Sequence, residues 1–232
     1  MQRDACFVCG QPLIYNDQTV EQTCVFCGEK EMNAITCPNG HYLCNRCHGL
    51  DALGVIRETT LKSSETVPEV LAEFLMQHPT VAMHGPEHHA LVPAVLVAVT
   101  ANLLGLEEKE ALVKEAIKRG SRVPGGHCGY FGACGAGVGV GIAVSVLTGA
   151  TPLKREEWSW ANRATAMALE KMADTGGPRC CKRCTMLALA AGREAIARFL
   201  QVELPAAADW KCRYFSRNRQ CLGRQCPFWG DK

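Results

Sequence analysis

The first fifty residues carry four metal-ligand pairs in succession: Cys6-x2-Cys9, Cys24-x2-Cys27, Cys37-x3-His41 and Cys44-x2-Cys47. One such turn presents only two ligands to an ion, whereas a tetrahedral zinc takes four, so the pairs must combine two by two into two closed sites. A segment this short buries too little apolar area to fold alone, and metal binding worth about 10 kcal/mol makes up the deficit. A closed four-ligand site leaves no position for a substrate, so both Zn2+ ions read as structural. Spacing leaves the pairing open. Cys6, Cys9, Cys24 and Cys27 form one site and Cys37, His41, Cys44 and Cys47 the other in a sequential order, and an interleaved order satisfies the ligand count equally.

Fifteen cysteines and a start, MQRDACFVCG, without a basic stretch leading into an apolar one point to a cytoplasmic, reducing setting, where thiols serve metals or chemistry and not disulfides. With 47% apolar and 21% charged residues, a folded core is expected. A net charge of +2 supplies no global field for nucleic acid or membrane, so any basic surface is local. The expected organisation is mainly α: a small zinc-binding α+β module at 1–52, a connecting helix at 53–80, a helical bundle-like Cys/His core domain at 81–205, and a Cys-rich basic and aromatic tail at 206–232 packed on that core.

Beyond residue 50 no period-two alternation appears, and helical signals dominate. LKSSET reads as a solvated connection before Pro68, which opens a helix placing Val70, Leu71, Phe74 and Leu75 on one side. An apolar helix entered through Gly85 and Pro86 is expected to bend at Pro93. An amphipathic helix closed by Gly120 follows, with two more over about 156–174 and 179–200. Residues 123–153 contain no Lys, Arg, Asp or Glu but nine glycines. That length would suffice for a membrane span, with Gly135-x3-Gly139 as a contact motif. The breaks at Gly125 and Gly126 and the polar helices that follow favour a buried central helix with close backbone approach.

Three blocks carry candidate chemistry. HGPEHH sets His84, Glu87 and His88 at a helix entrance as acid–base groups. HCGYFGACG places Cys128 and Cys134 about a glycine-permitted turn. GGPRCCKRC puts Cys180, Cys181 and Cys184 in a first helical turn beside Arg179, Lys182 and Arg183, whose charge favours thiolates. Cys180 and Cys184, four apart, should share a face. Cys128 and Cys181 join the acid–base groups as candidate catalytic residues. The tail adds Cys212, Cys221 and Cys226 and needs a fourth ligand, Cys181 or Cys184. These eight cysteines are candidate ligands of a [4Fe-4S] cluster.

CPNGHYLCNRCH resembles the centre of a RING-like or treble-clef finger. That resemblance implies the interleaved order, with Cys24 and Cys27 joining Cys44 and Cys47, and Cys6 and Cys9 joining Cys37 and His41. HGPEHHALVPAVL, GGHCGYFGACGAGVGVGI and GGPRCCKR, with the Cys212-x8-Cys221-x4-Cys226 tail, resemble an uncharacterised domain family of methanogens and anaerobic bacteria over roughly residues 80–230. That resemblance implies anaerobic metal or one-carbon chemistry nearby, and a partner enzyme of methyltransferase or radical S-adenosylmethionine type. A looser likeness to the alpha part of iron–sulfur serine dehydratases offers a mechanistic model. The expectation is an oxygen-sensitive enzyme of lyase, sulfur-transfer or redox type. The alternative is a zinc-finger adaptor that grips RNA or a partner enzyme, with Trp210, Tyr214, Phe215 and Trp229 among Lys211, Arg213, Arg217, Arg219 and Arg224.

Overall fold

The computed structural model describes Cys6 and residues 8–230. Its first part is an antiparallel hairpin, β1 (Ile14–Thr23) and β2 (Lys30–Thr36), followed by a single helical turn, α1 (Asn45–His48). Pairing runs from Thr23 opposite Lys30 to Ile14 opposite Thr36, with an irregularity between Tyr15 and Val20. The two strands turn around at Cys24–Gly28, so the hairpin tip is itself a ligand turn. Gly28, at φ 74°, lets its N–H close on the Cys24 carbonyl at 2.9 Å, a conformation that favours glycine. Gly10 does the same behind Cys6 and Cys9, at φ 75°.

The rest is helical: α2 (Ala52–Lys62), α3 (Pro68–Gln77), α4 (Glu87–Leu104), α5 (Lys109–Gly120), the short α6 (His127–Tyr130), α7 (Gly135–Thr148), α8 (Arg155–Thr175) and α9 (Cys181–Leu200). Asp51 caps α2, accepting from the Gly54 N–H at 2.7 Å. The connecting region thus holds two helices, and the solvated connection shrinks to the residues between Lys62 and Pro68.

α4 and α7 form the centre. Residues from Ala90 to Val99 on α4 are fully buried except for Pro93, which is buried as well. α4 is long and apolar enough to cross a bilayer, but 78% of it is buried inside the fold, as for a core helix. α7, which contains the uncharged glycine stretch, is packed among α4, α5, α8 and α9. Its glycines allow this: a Cβ on Gly139 would lie 2.8 Å from Pro93, and one on Gly141 would lie 2.6 Å from the Ala161 carbonyl. On α3 the buried face differs from that expected from periodicity. Leu71 and Leu75 are buried, Val70 is 45% exposed, and Glu69 and Glu73 are buried instead.

Those two carboxylates hold the tail. Glu69 accepts from the Ala207 N–H at 3.4 Å and from Arg193 of the last long helix at 2.9 Å, and Glu73 accepts from the Trp210 indole at 3.1 Å and pairs with Arg213 at 3.0 Å. The hairpin module is tied to the same helix: Phe26, between Cys24 and Cys27, packs on Phe74 at 4.8 Å and edge-on to His78 at 4.4 Å.

Candidate metal centres and the cysteine–histidine cleft

The eight amino-terminal ligands assemble into two tetrads, Cys6, Cys9, Cys37 and His41, and Cys24, Cys27, Cys44 and Cys47, each with its ligand atoms within 4.8 Å of one another. This is the interleaved order. A tetrahedral ion with metal–sulfur bonds near 2.3 Å sets its thiolates about 3.8 Å apart. Cys9 and Cys37 sulfurs lie 3.5 Å apart, Cys27 and Cys44 3.5 Å, and Cys37 Sγ lies 3.7 Å from His41 Nδ1. Backbone N–H groups of Asn39 and Cys47 donate to the Cys37 and Cys44 sulfurs, each at 3.4 Å. These bonds support the thiolate state that a metal requires. Both tetrads could hold a metal ion. The second is the more buried and belongs to the continuous apolar core.

The other eight cysteines fall into two places. Cys180, Cys212, Cys221 and Cys226 line one small, mostly apolar cavity, walled by Trp210, Tyr214, Phe215, Phe228 and Trp229. The tail's fourth thiol is thus Cys180 and not Cys181 or Cys184. Cys180 is the N-cap of α9, in an extended conformation (φ −147°, ψ 102°), so its side chain leaves the helical phase and meets the tail. Burial pushes the Cys180 thiol up, and the Cys212 thiol up to about 11. A cation among them would reverse that cost. The four do not converge to within 4.8 Å as the amino-terminal tetrads do.

Cys128, Cys134, Cys181 and Cys184 line a larger cleft of about 1060 Å³, together with His84, His88, His89, Arg179 and Arg183. Among the described residues no carboxylate lines it. The helices α4, α7 and α9 all begin at its wall; α4 has Glu87 in its first turn, whereas α7 and α9 have no acidic residue there and no side-chain cap, so two positive helix ends add to the arginines. Cys128 lies exposed at the rim, and Cys134, Cys181 and Cys184 are half-buried. Burial pushes the Cys181 thiol up to about 11.

A model of a family of unknown function, DUF5714, matches residues 56–229. The chain belongs to that family. No curated protein and no solved structure matches it. The DUF5714 region takes in both the tail cavity and the cleft and excludes the two amino-terminal tetrads, which are therefore an addition in front of it.

The histidines of this DUF5714 cleft have defined roles. His84 Nε2 donates to Asn218 Oδ1 at 3.2 Å, an oxygen already fixed as acceptor by the Gln220 N–H. His88 Nδ1 donates to the Gly85 carbonyl at 3.1 Å. That leaves His84 Nδ1 and His88 Nε2 as bare, buried nitrogens without a partner. His89, which the sequence offered with His84 and His88 as an imidazole ligand or general base, donates to the Val123 carbonyl at 2.9 Å and occupies the space that a Cβ on Gly135 would need. Glu87 does not line the cleft: its carboxylate accepts the Ala82 N–H at 2.9 Å and lies 3.6 Å from His88 Nδ1. Lys182 is also elsewhere. Its ammonium is buried, donates to the Met76 and Val81 carbonyls at 3.2 Å and sits over the Tyr214 ring. Burial there pulls it down to about 8.

Burial lowers His88 to about 3. Between the ordinary histidine value of 6.5 and that point, the unfolded chain takes up a proton that the folded one refuses. The His88 contribution is therefore complete above about pH 6.5 and is lost as pH falls, by roughly 3 kcal/mol down to about pH 4.5. His88→Gln should show a correspondingly shallower fall of melting temperature between about pH 7 and about pH 4.5 than the parent protein. Acid loss of the amino-terminal metals is common to both proteins and cancels in the comparison. Identical slopes would place the acid sensitivity elsewhere.

Proposed function

We propose that the protein is a cytoplasmic iron–sulfur redox enzyme with a two-zinc amino-terminal module, acting on an anionic substrate in the cysteine–histidine cleft. The observation that carries this reading is the gathering of Cys180, Cys212, Cys221 and Cys226, from a helix start and a tail, around one aromatic-walled cavity. Tryptophan and phenylalanine rings around a cluster keep water out and help set its potential. When bound, a [4Fe-4S] cluster supplies single electrons. The chain's own part is to hold it next to the cleft, since Cys180 lines both sites and its neighbour Cys181 lines the cleft. This favours redox chemistry over the lyase model, in which the open iron must meet the substrate directly.

The adaptor reading is the weaker. Tyr214 is buried, and Phe215 and Trp229 are paired against each other at 4.9 Å, so the tail rings serve the cavity and are not set out for stacking on bases. A partner of methyltransferase or radical S-adenosylmethionine type fits the anaerobic setting that the family resemblance implies, with electrons as the commodity exchanged.

Protein purified without oxygen should contain about four iron and four labile sulfide per chain, as one cubane requires, beside two zinc. Cys221→Ser and Cys226→Ser should each lose the iron and keep the zinc. Iron-free protein with zinc retained, even after anaerobic reconstitution with iron and sulfide, would remove the cluster from this reading.

A further inference from the structure

Four thiols of the cleft, Cys128, Cys134, Cys181 and Cys184, belong to neither metal arrangement. Cys134 is the N-cap of α7, and Cys184 lies in the first turn of α9, which packs beside α7. Both side chains line the cleft, and each shifts the titration of the other. Hydrogen bonding with Cys184 pulls the Cys134 thiol down to about 6 against the opposing effect of burial, aided by the Ala136 and Gly137 N–H groups and the Arg183 charge. The same contact pushes Cys184 up. Among the described residues no third cysteine, histidine or carboxylate closes with the pair to within 4.8 Å, so it lacks the ligands of a metal site. An independent feature marks the place: His88 is one of the residues lining the cleft, is fully buried, and its Nε2 has no partner.

We propose that Cys134 and Cys184 form a redox-active dithiol that reduces an anionic low-molecular-weight disulfide bound in the cleft. The Cys134 thiolate attacks one sulfur of the disulfide, forming a mixed disulfide and expelling the other half as a thiolate. Cys184 gives its proton to that thiolate and attacks the Cys134 sulfur, which closes the Cys134–Cys184 bond and expels the second half as a thiolate. The substrate gains two electrons and the protein loses two, so one disulfide becomes one thiol and one thiolate while the dithiol becomes a disulfide. Negative charge on the substrate follows from the cleft itself, with Arg179, Arg183, the starts of α7 and α9 and, among the described residues, no carboxylate in its lining. The step needs no electron from the tail cavity, so it stands apart from the cluster.

The test uses the full chain, purified without oxygen and mixed at neutral pH with oxidised glutathione or, as a cationic counterpart, cystamine. Non-reducing peptide maps should show Cys134 joined to Cys184, with two glutathione equivalents released per chain. Cystamine should react at least about tenfold more slowly, as its charge opposes the field of the cleft. Cys184→Ser should stop at a glutathionyl group on Cys134. Should Cys134→Ser fold poorly, the trapped species in Cys184→Ser and the parent peptide map still decide the matter. Glutathionylation of Cys128 with Cys134 untouched would overturn the dithiol, and equal or faster reaction with cystamine would overturn the anionic substrate. Iron and labile sulfide, measured on the same samples, report separately on the cluster.

Discussion

Cys44→Ser should lose one of two bound zinc ions and lower the melting temperature by about 10 °C or more, whereas Cys9→Ser, which also loses one zinc, should shift it far less. A structural zinc site is worth of order 10 kcal/mol, comparable to the entire stability of an ordinary domain. How much of that reaches the rest of the molecule depends on what the site is joined to. Cys24, Cys44 and Cys47 are each at most 2% exposed and belong to the same apolar core as α4. Phe26, held between two ligands, packs on Phe74 and His78, and Lys62 donates to the Cys27 carbonyl. Opening this tetrad withdraws a wall from the helical body, and about 4 kcal/mol lost there corresponds to roughly 10 °C in a chain of this size. Cys9 is exposed, and its tetrad is the outer of the two. Zinc content by elemental analysis and thermal unfolding of both variants check this. Equal shifts would mean that the module hangs on the body without bracing it.

The ligand turns were legible because their signal is local. A Cys-x2-Cys turn followed by glycine carries its geometry within five residues, and Gly10 and Gly28 adopt the left-handed conformation that the turn demands. Helix limits were legible for the same reason, with Pro68 at a start and Gly120 at an end. Assignments that needed knowledge of neighbours were not legible. Helical phase puts Cys180 and Cys184 on one face, but phase holds only inside a helix, and Cys180 is an extended N-cap. That single residue moved the fourth thiol of the tail cavity from Cys181 or Cys184 to Cys180. Periodicity on α3 likewise identified an apolar arc but not its limits. Glu69 and Glu73 are buried because a tail more than a hundred residues later brings Arg213, the Trp210 indole and the Ala207 N–H to meet them. Lys182 reads in the sequence as a charge that favours the neighbouring thiolates. It lies on the opposite side of α9, where two carbonyls solvate its ammonium, and nothing within ten residues of it says so.

The glycines of α7 were readable as a route to close packing, and this carries the second large effect. A Cβ on Gly141 would stand 2.0 Å from Thr165 Oγ1 and 2.6 Å from the Ala161 carbonyl. The hydroxyl can rotate away, but the carbonyl is backbone, so α7 and α8 must separate, which should cost about 3 kcal/mol in Gly141→Ala. Gly137→Ala should cost less, because the atom it meets, Leu169 Cδ2 at 2.8 Å, is the end of a flexible side chain. Gly129→Ala, with nothing within 4 Å, should stay within about 0.5 kcal/mol of the parent. The effect also reaches the cleft, since α7 carries Cys134 at its start and Leu169 and Met172 of α8 line the opposite wall. Splaying the two helices should therefore slow closure of the Cys134–Cys184 bond as well as lower the melting temperature. Adding Thr165→Ala to Gly141→Ala removes the hydroxyl but not the Ala161 carbonyl. The double variant should recover only part of the loss, and full recovery would place the strain in the Thr165 side chain and not in the approach of the two backbones.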